Sequence, residues 1–566
     1  MISFKKIGYT FFFIICFAAC DSDFLNRTPL DSVTDADFFE QAEDFTVYVN
    51  RFYTTWGNRG RWFGDFGTDI EASHESPPNR MAGVVTINNG PSYSYSDIRR
   101  VNYLLEAADR WEGDFEDIKN AVGEAHYFRA RFHFNLLKDF GDIHWLDFVP
   151  GTTSEELYHD RDSRDVVVDN IIEDLNLASI YLPHERGNGY SRLNRWEALL
   201  LQARVALYEG TWQKYHEGTP FGVANSDPAK YFNVAISAAE EIMESGLYGI
   251  YSTGDPESDY YNNFNRRDYS DHPEAIRWTN YSLEHDVTNW LLEIWKDPTE
   301  RGMTKELVEH YLDIEGRPIA VSNLYLGDNT IEEEVQFRDP RLNQTIFTQD
   351  DIWLIRPDGE VEYYSANFEV LFSNTRKFTP TGYHRRKFYR AEEIYHFGAT
   401  EEETPVLNDR YAEVLLIFAE AKAELGTITQ AELDKSINLL RDRVGMPHMQ
   451  LHNITPDPNW TWPELSPLIN EIRRERVIEL AAENFRLDDL LRWASMDKFN
   501  GTRPKGTKID QFPITPDIPV DENGYLDPFR NTYPGGFNFD TGRHYLWPIP
   551  ESQIVLNPTI TQNPGW

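Results

Sequence analysis

The sequence predicts a mainly α protein, with paired helices forming a superhelical scaffold that carries a loop-rich, partly β face. Three observations predict it. Apolar residues recur at helical spacing in two blocks, mainly 35–250 and 405–495. The stretches 55–95, 250–405 and 500–566 are rich in Gly, Pro, Asn, Asp and aromatics and lack that spacing. No Pro-rich or Gly/Ser-rich linker divides the chain, so residues 20–566 are expected to form one body.

The N-terminus reads as an export signal. Lys5 and Lys6 precede an apolar run, Tyr9 to Ala19. A bilayer span needs ~20 apolar residues, so this run is too short to cross one. It ends Ala18-Ala19-Cys20, where an ordinary signal ends in A-x-A. That layout predicts removal of residues 1–19 and lipid attachment at Cys20. The alternative is an ordinary signal followed by a chance Cys. The second Cys, Cys16, leaves with the signal, so the body has no thiol for a disulfide, a Cys-ligated metal or a nucleophile. Each buried acyl CH₂ contributes ~0.8 kcal/mol, so several chains anchor durably. Localisation on a membrane follows, with the body in water beside it.

In the first helical block, residues 119–139 place Ala121, Ala125, Phe128, Phe132 and Leu136 on one face. Tyr127, Ala130, Phe134 and Leu137 fall on another. A helix apolar on two faces packs between neighbours. Phe140-Gly141 stops it. Helices over 165–181 and 194–210 follow, with Gly210 as a C-cap, then one over 228–246. In the second block, 409–425 stops at Gly426, and 430–443 and 466–482 follow. Small residues where paired helices cross resemble tetratricopeptide-type repeats, without a strict sequence period. The loop stretches predict short strands and hairpins, for example at Asn89-Gly90, and a short helical piece at 301–312.

Length allows two to four average domains, and a hydrophobic fraction of 40 % suffices for a large core. Net charge is −39, and the signal carries two Lys and no acid, so the body is more negative still. Such a chain repels nucleic-acid phosphates and disfavours polyanionic ligands. Aromatics reach 14 %, a surplus suited to stacking on sugar rings.

Asp139-Phe140-Gly141 matches a kinase magnesium motif, but no glycine-rich phosphate loop or catalytic loop accompanies it. No P-loop, H-E-x-x-H or G-x-S-x-G occurs, and the His show no metal-ligand spacing. No catalytic residue, metal or cofactor is expected. Asp65, Asp69 and Glu71, in an aromatic loop, are the best pair-forming carboxylates should the chain be a glycoside hydrolase. Asp521, Asn523 and Asp527 surround Gly524 in an acidic turn that lacks EF-hand spacing and reads as a plain turn. The Arg/Glu-dense run 469–493 offers i,i+3 pairs, Glu471–Arg474 and Arg476–Glu479, and predicts a network joining packed helices.

Eight segments taken in order resemble the SusD/RagB family of nutrient-binding lipoproteins of Bacteroidota. They are 20–39, 123–147, 195–212, RDPRL at 338–342, 410–426, 437–447, 471–493 and the ending YLWPIPESQIVLNPTITQNPGW at 545–566. The resemblance implies four tetratricopeptide-like helix pairs supporting a loop-rich face. It implies a non-catalytic, surface-exposed outer-membrane binder, a lid on a SusC-like TonB-dependent transporter that receives the captured oligosaccharide. Asp21 and Asp23 resemble the family's surface-export signal. The family stacks sugars on aromatics in the loop before 96–106 and in the middle of the chain. That implies Trp62, Phe63, Tyr93 and Tyr95, then Tyr281, Trp290 and Trp295, with Asp65, Asp69 and Arg80 supplying hydrogen bonds. The starch-binding member has tryptophans where this chain has Tyr93 and Tyr95, so starch specificity does not transfer. Some relatives capture peptides, and that reading stays open.

Overall fold

The computed structural model describes residues 38–566 apart from 57–63, 75–76, 88–89, 152–153, 187–191, 298–299, 368–377, 392–401 and 513–516. The expected signal, Cys20, Trp62, Phe63 and the Asn89 turn lie outside the described residues. The first helical block holds α1 (Ala42–Tyr53), α2 (Ser96–Asp109), α3 (Phe115–Phe140), α4 (Arg164–Tyr181), α5 (Arg195–Tyr215) and α6 (Pro228–Glu244). The second holds α7 (Tyr411–Glu424), α8 (Ile437–Arg443), α9 (Pro467–Glu479) and α10 (Arg486–Arg492). The expected mainly α architecture is present.

Local chemistry sets the helix ends. Asp114 caps α3 by accepting the Glu116 N–H, and the Asn194 side chain accepts from Trp196 and Glu197 at the start of α5. Asp227 caps α6, with Pro228 in its first turn. Gly141 takes φ +74° and ends α3 as expected. The helices then pack in sequence: α1 and α2 on α3, α3 on α4, α4 on α5, α5 on α6, α6 on α7 and α7 on α9. Helix α3 is buried on both predicted faces, with Phe128, Ala130 and Leu137 fully enclosed.

Two boundary expectations are corrected. Gly210 does not cap a helix, because α5 continues to Tyr215. A Cβ at Gly210 would lie 2.8 Å from the Phe232 ring on α6, so the glycine serves close helix approach. The segment 430–443 breaks into Gln430–Asp434 and α8, and 301–312 opens as a strand before a short helix, Lys305–His310.

Three antiparallel two-stranded sheets lie in the loop regions. They pair β1 (Glu71–Ser73) with β3 (Arg301–Met303), β2 (Ala275–Thr279) with β6 (Val406–Arg410), and β4 (Ile352–Ile355) with β5 (Val361–Tyr363). The first pair ties the 64–73 loop to the middle of the chain. Among the described residues no helix is long and apolar enough to cross a membrane.

The predicted Arg/Glu network exists and is buried. Residues 469–479 of α9 are enclosed on every side. Glu479, with no exposure, accepts from Arg341, Arg410 and Arg443 at 2.6–3.0 Å. Glu475 holds Arg341 and Arg441. Glu471 pairs with Arg474 as expected, whereas Arg476 pairs with Asp489 instead of Glu479. Asp527 pairs with Arg503 and Lys505, and Asp521 accepts backbone N–H groups of Asn523 and Tyr525, so the acidic turn closes on itself.

Candidate functional site

Strand β2 runs into the segment 280–290, whose middle closes on itself through paired backbone hydrogen bonds between Ser282 and Val287. Asn289 pairs with Glu402 through both backbone groups and donates its side-chain amide to the Thr404 carbonyl. The segment is therefore braced at its base while its side chains stand outward. Leu283 and Val287 are half exposed, Trp290 is 36 % exposed and Tyr281 is half-buried. Burial raises the Tyr281 hydroxyl to about 12, which leaves it a neutral hydrogen-bonding group at pH 7. Exposed apolar and aromatic side chains carried on one braced segment suit ligand contact.

The other expected site residues are placed differently. Trp295 is buried, its ring 5.4 Å from that of Phe388. Tyr93 is buried edge-on against Phe140, and Tyr95 accepts the His144 N–H. These two tyrosines pack with the α1–α5 core, whereas Trp295 belongs to the core of the middle region and Tyr281 packs, partly buried, against its edge. The structure thus splits the expected aromatics into two groups. Arg80 is buried, donates to the carbonyls of His544 and Tyr545 and stacks over Trp547. It joins the N-terminal loop to the C-terminal segment.

Both Asp65 and Asp69 lie inside the fold at 2 % exposure. Asp65 accepts the backbone N–H groups of Ala482 (2.7 Å) and Arg486 (2.9 Å), and burial pushes its carboxyl up to about 7. Asp69 accepts a two-pronged bond from the Arg486 guanidinium at 2.8 and 2.6 Å. Together they clamp the corner between α9 and α10. There Ala482 and Asn484 adopt φ of +64° and +68°, a conformation an isolated chain disfavours. The clamp holds that corner in place.

The clamped corner forms one wall of a cleft of about 360 Å³, closed by α3, α5, β6 and α9. Trp56, Tyr127, Phe134, Tyr208 and Phe485 supply its aromatic surface. The sequence does not single out this cleft, because its lining comes from six separated segments. The one visible signal was the Arg/Glu density of 469–493.

Comparison with known proteins gives this geometry a context. A family model described as "SusD family" matches residues 239–566, more than half of the chain. The chain belongs to the SusD family. A second model, described as "Starch-binding associating with outer membrane", matches residues 69–207. SusD-like protein P2 of Formosa agariphila is 24 % identical over 99 % of this chain and all of its own length. SusD-like protein P38 of the same organism is 22 % identical over 87 % of this chain and 92 % of its own. A SusD-like carbohydrate binding protein from Bacteroides fragilis superposes with a TM-score of 0.71 at 20 % identity, covering 93 % of this chain and all of that one. A SusD homolog from Bacteroides thetaiotaomicron gives 0.61 at 18 %, covering 96 % and 99 %.

The family segments have an identifiable physical role here. Four of them, RDPRL, 410–426, 437–447 and 471–493, supply Asp339, Arg341, Arg410, Arg441, Arg443, Glu475 and Glu479, members of one buried charge network. The SusD-family signature in this chain is thus largely scaffold.

Proposed function

We propose that this SusD-family protein is a surface-exposed, lipid-anchored glycan-binding protein of the outer membrane. It captures oligo- or polysaccharide and passes it to a partner SusC-like TonB-dependent transporter, without chemistry of its own. The single observation that carries this reading is family membership along nearly the whole chain, on a fold shared with a protein described as carbohydrate binding. The outer-membrane description of the second family model supports the location. Cys20 would carry the lipid.

The braced segment with Tyr281 and Trp290 is the stacking platform in this reading. A sugar ring lays its apolar face on an aromatic and turns its hydroxyls to polar neighbours. The non-catalytic reading draws support from Asp65 and Asp69, whose oxygens are occupied by Ala482 and Arg486. Calorimetry of the soluble body against a glycan panel tests the proposal, with Trp290→Ala expected to weaken the bound glycan. Heterogeneous peptides co-purifying with the protein, together with silence across the glycan panel, would favour peptide capture instead.

A further inference from the structure

Helix α9 also walls a second cleft, of about 260 Å³, through Asn470 and Arg474. The other walls include the short helix Lys305–His310, the segment 319–325 and the turn 457–462. Each is held by its own contacts. Asp457 takes the Arg474 guanidinium at 2.5 Å and accepts the Asn459 N–H at 2.8 Å, which fixes the turn. Trp462 donates its Nε1–H to Ser495, and Asn470 donates to the Trp462 carbonyl. Ser322 donates to Asp313 and accepts the Leu324 and Tyr325 N–H groups, and Thr304 caps the short helix. Trp462 lies in the α1–α5 core. Trp460, two residues before it, is half-buried, lines the cleft and packs in none of the three apolar cores. Among the described residues its ring also has no aromatic or cationic neighbour. The indole is thus committed to the cleft and not to the fold.

The charges of this wall cancel. Asp69 is held by Arg486, Asp457 by Arg474, and Glu309 lies 3.1 Å from Lys305. Burial pushes the fourth lining acid, Glu306, up to about 8, which leaves it largely uncharged at pH 7. Behind the wall Lys305 also meets Asp328, itself held by Lys508, and Glu334. Arg474 also meets Glu471. Burial raises both Glu334 and Glu471 above the usual carboxylate range.

The groups left over are neutral. Among the described residues the His310 ring, the Tyr325 and Thr461 hydroxyls and the Asn459 side-chain amide make no hydrogen bond, and their polar atoms keep contact with solvent. Burial holds the His310 imidazole well below its usual range, so at pH 7 one ring nitrogen donates and the other accepts. Burial raises the Tyr325 hydroxyl, which stays protonated. All four groups can both donate and accept, as a sugar hydroxyl does. An aromatic face beside a few such groups is the ordinary make-up of a small-molecule site. The volume lies just under the usual range of about 300–1,000 Å³, which suits one sugar residue more than a long chain.

We infer that this cleft is a second saccharide site, seating one neutral sugar residue with its apolar face on Trp460 and its hydroxyls on His310, Tyr325, Asn459 and Thr461. The inference rests on the glycan-binding reading and adds to it a site that shares no residue with the Tyr281–Trp290 segment. Neither a carboxylate nor an ammonium group would find an unmatched charge in this wall, so the class is a neutral saccharide.

The test is calorimetry of the whole chain, purified in detergent, with neutral trisaccharides of glucose, xylose, mannose and galactose and with a galacturonate trisaccharide. Each is titrated at low and high salt into the wild type, into Trp290→Ala, and into Trp290→Ala carrying either Trp460→Ala or Ala320→Trp. Ala320 is exposed and lines the cleft, so an indole there fills it without entering a core. The expected result is that one neutral trisaccharide still binds Trp290→Ala. Adding Trp460→Ala should weaken that binding at least about tenfold, and adding Ala320→Trp should abolish it. The affinity should be the same at low and high salt, because no net charge is matched. Ala320→Trp carries the test even where Trp460→Ala does not fold. Loss of all binding in Trp290→Ala, or remaining binding that both cleft variants leave untouched, would overturn the inference while the proposed function stands. Tighter, salt-sensitive binding of the galacturonate trisaccharide that Trp460→Ala removes would overturn the neutral class. Silence of the wild type across every saccharide would overturn both readings.

Discussion

Glu479→Gln is the sharpest perturbation of the scaffold. The carboxylate is fully buried and receives Arg341 at 3.0 Å, Arg410 at 2.7 Å and Arg443 at 2.6 and 2.7 Å. The amide keeps the shape but removes the charge and turns an N–H₂ group toward a guanidinium. Removing one partner from a buried charge cluster costs ~3–5 kcal/mol. Arg341 retains Asp339 and Glu475, Arg410 retains Glu483, and Arg443 retains Glu274, so a value near the lower bound, about 3 kcal/mol, is expected. That is a large share of the ~5–15 kcal/mol stability of an ordinary domain. The assay is urea unfolding at pH 7, read as a lower midpoint at unchanged slope. The three arginines hold the Glu479 carboxyl well below the usual carboxylate range. A group whose pKa is depressed on folding stabilises above its unfolded pKa and loses that contribution as pH falls toward its folded one. The penalty of the variant should therefore shrink once pH drops below about 4.5, the ordinary glutamate value. A penalty under about 1 kcal/mol at pH 7, or one that grows on acidification, would refute the reasoning.

Other predictions follow from single contacts. Gly210→Ala should lower the melting temperature despite alanine's better helix propensity, because its Cβ meets the Phe232 ring; a raised melting temperature would contradict that. Arg473 is buried among Tyr215, Trp462 and Trp493, with its nitrogens unbonded and Glu424 3.6 Å away. Arg473→Met should therefore cost less than Arg443→Met, which strips partners from Glu274 and Glu479; equal costs by urea unfolding would count against the network account. Cys20→Ala should abolish surface display, seen by antibody labelling of intact cells, while the soluble body keeps its glycan affinity.

Much of the scaffold was legible in the sequence because periodicity reports burial directly. Helix α3 shows this, with two apolar faces read and two faces buried. Gly210 misled because a glycine in a helix has two meanings, a stop or a close crossing, and only the position of Phe232 decides between them. The Arg/Glu run was correctly expected to be structural, yet Arg476 chose Asp489 over Glu479, since the helix ends at Glu479 and the corner brings Asp489 round. The site was less legible. Acids in an aromatic loop carry the same letters whether they face a ligand or cap a distant corner, and Asp65 and Asp69 are bonded to residues 482–486, more than four hundred positions away. The cleft lining draws on six segments and has no local motif at all.

The most direct test of the central claim is calorimetry of the soluble body with a glycan panel, followed by chromatography of each mixture. The account predicts saturable binding to one polysaccharide class and an unchanged product profile after prolonged incubation. New reducing ends that disappear in a folded Asp65→Asn or Asp69→Asn variant would contradict it.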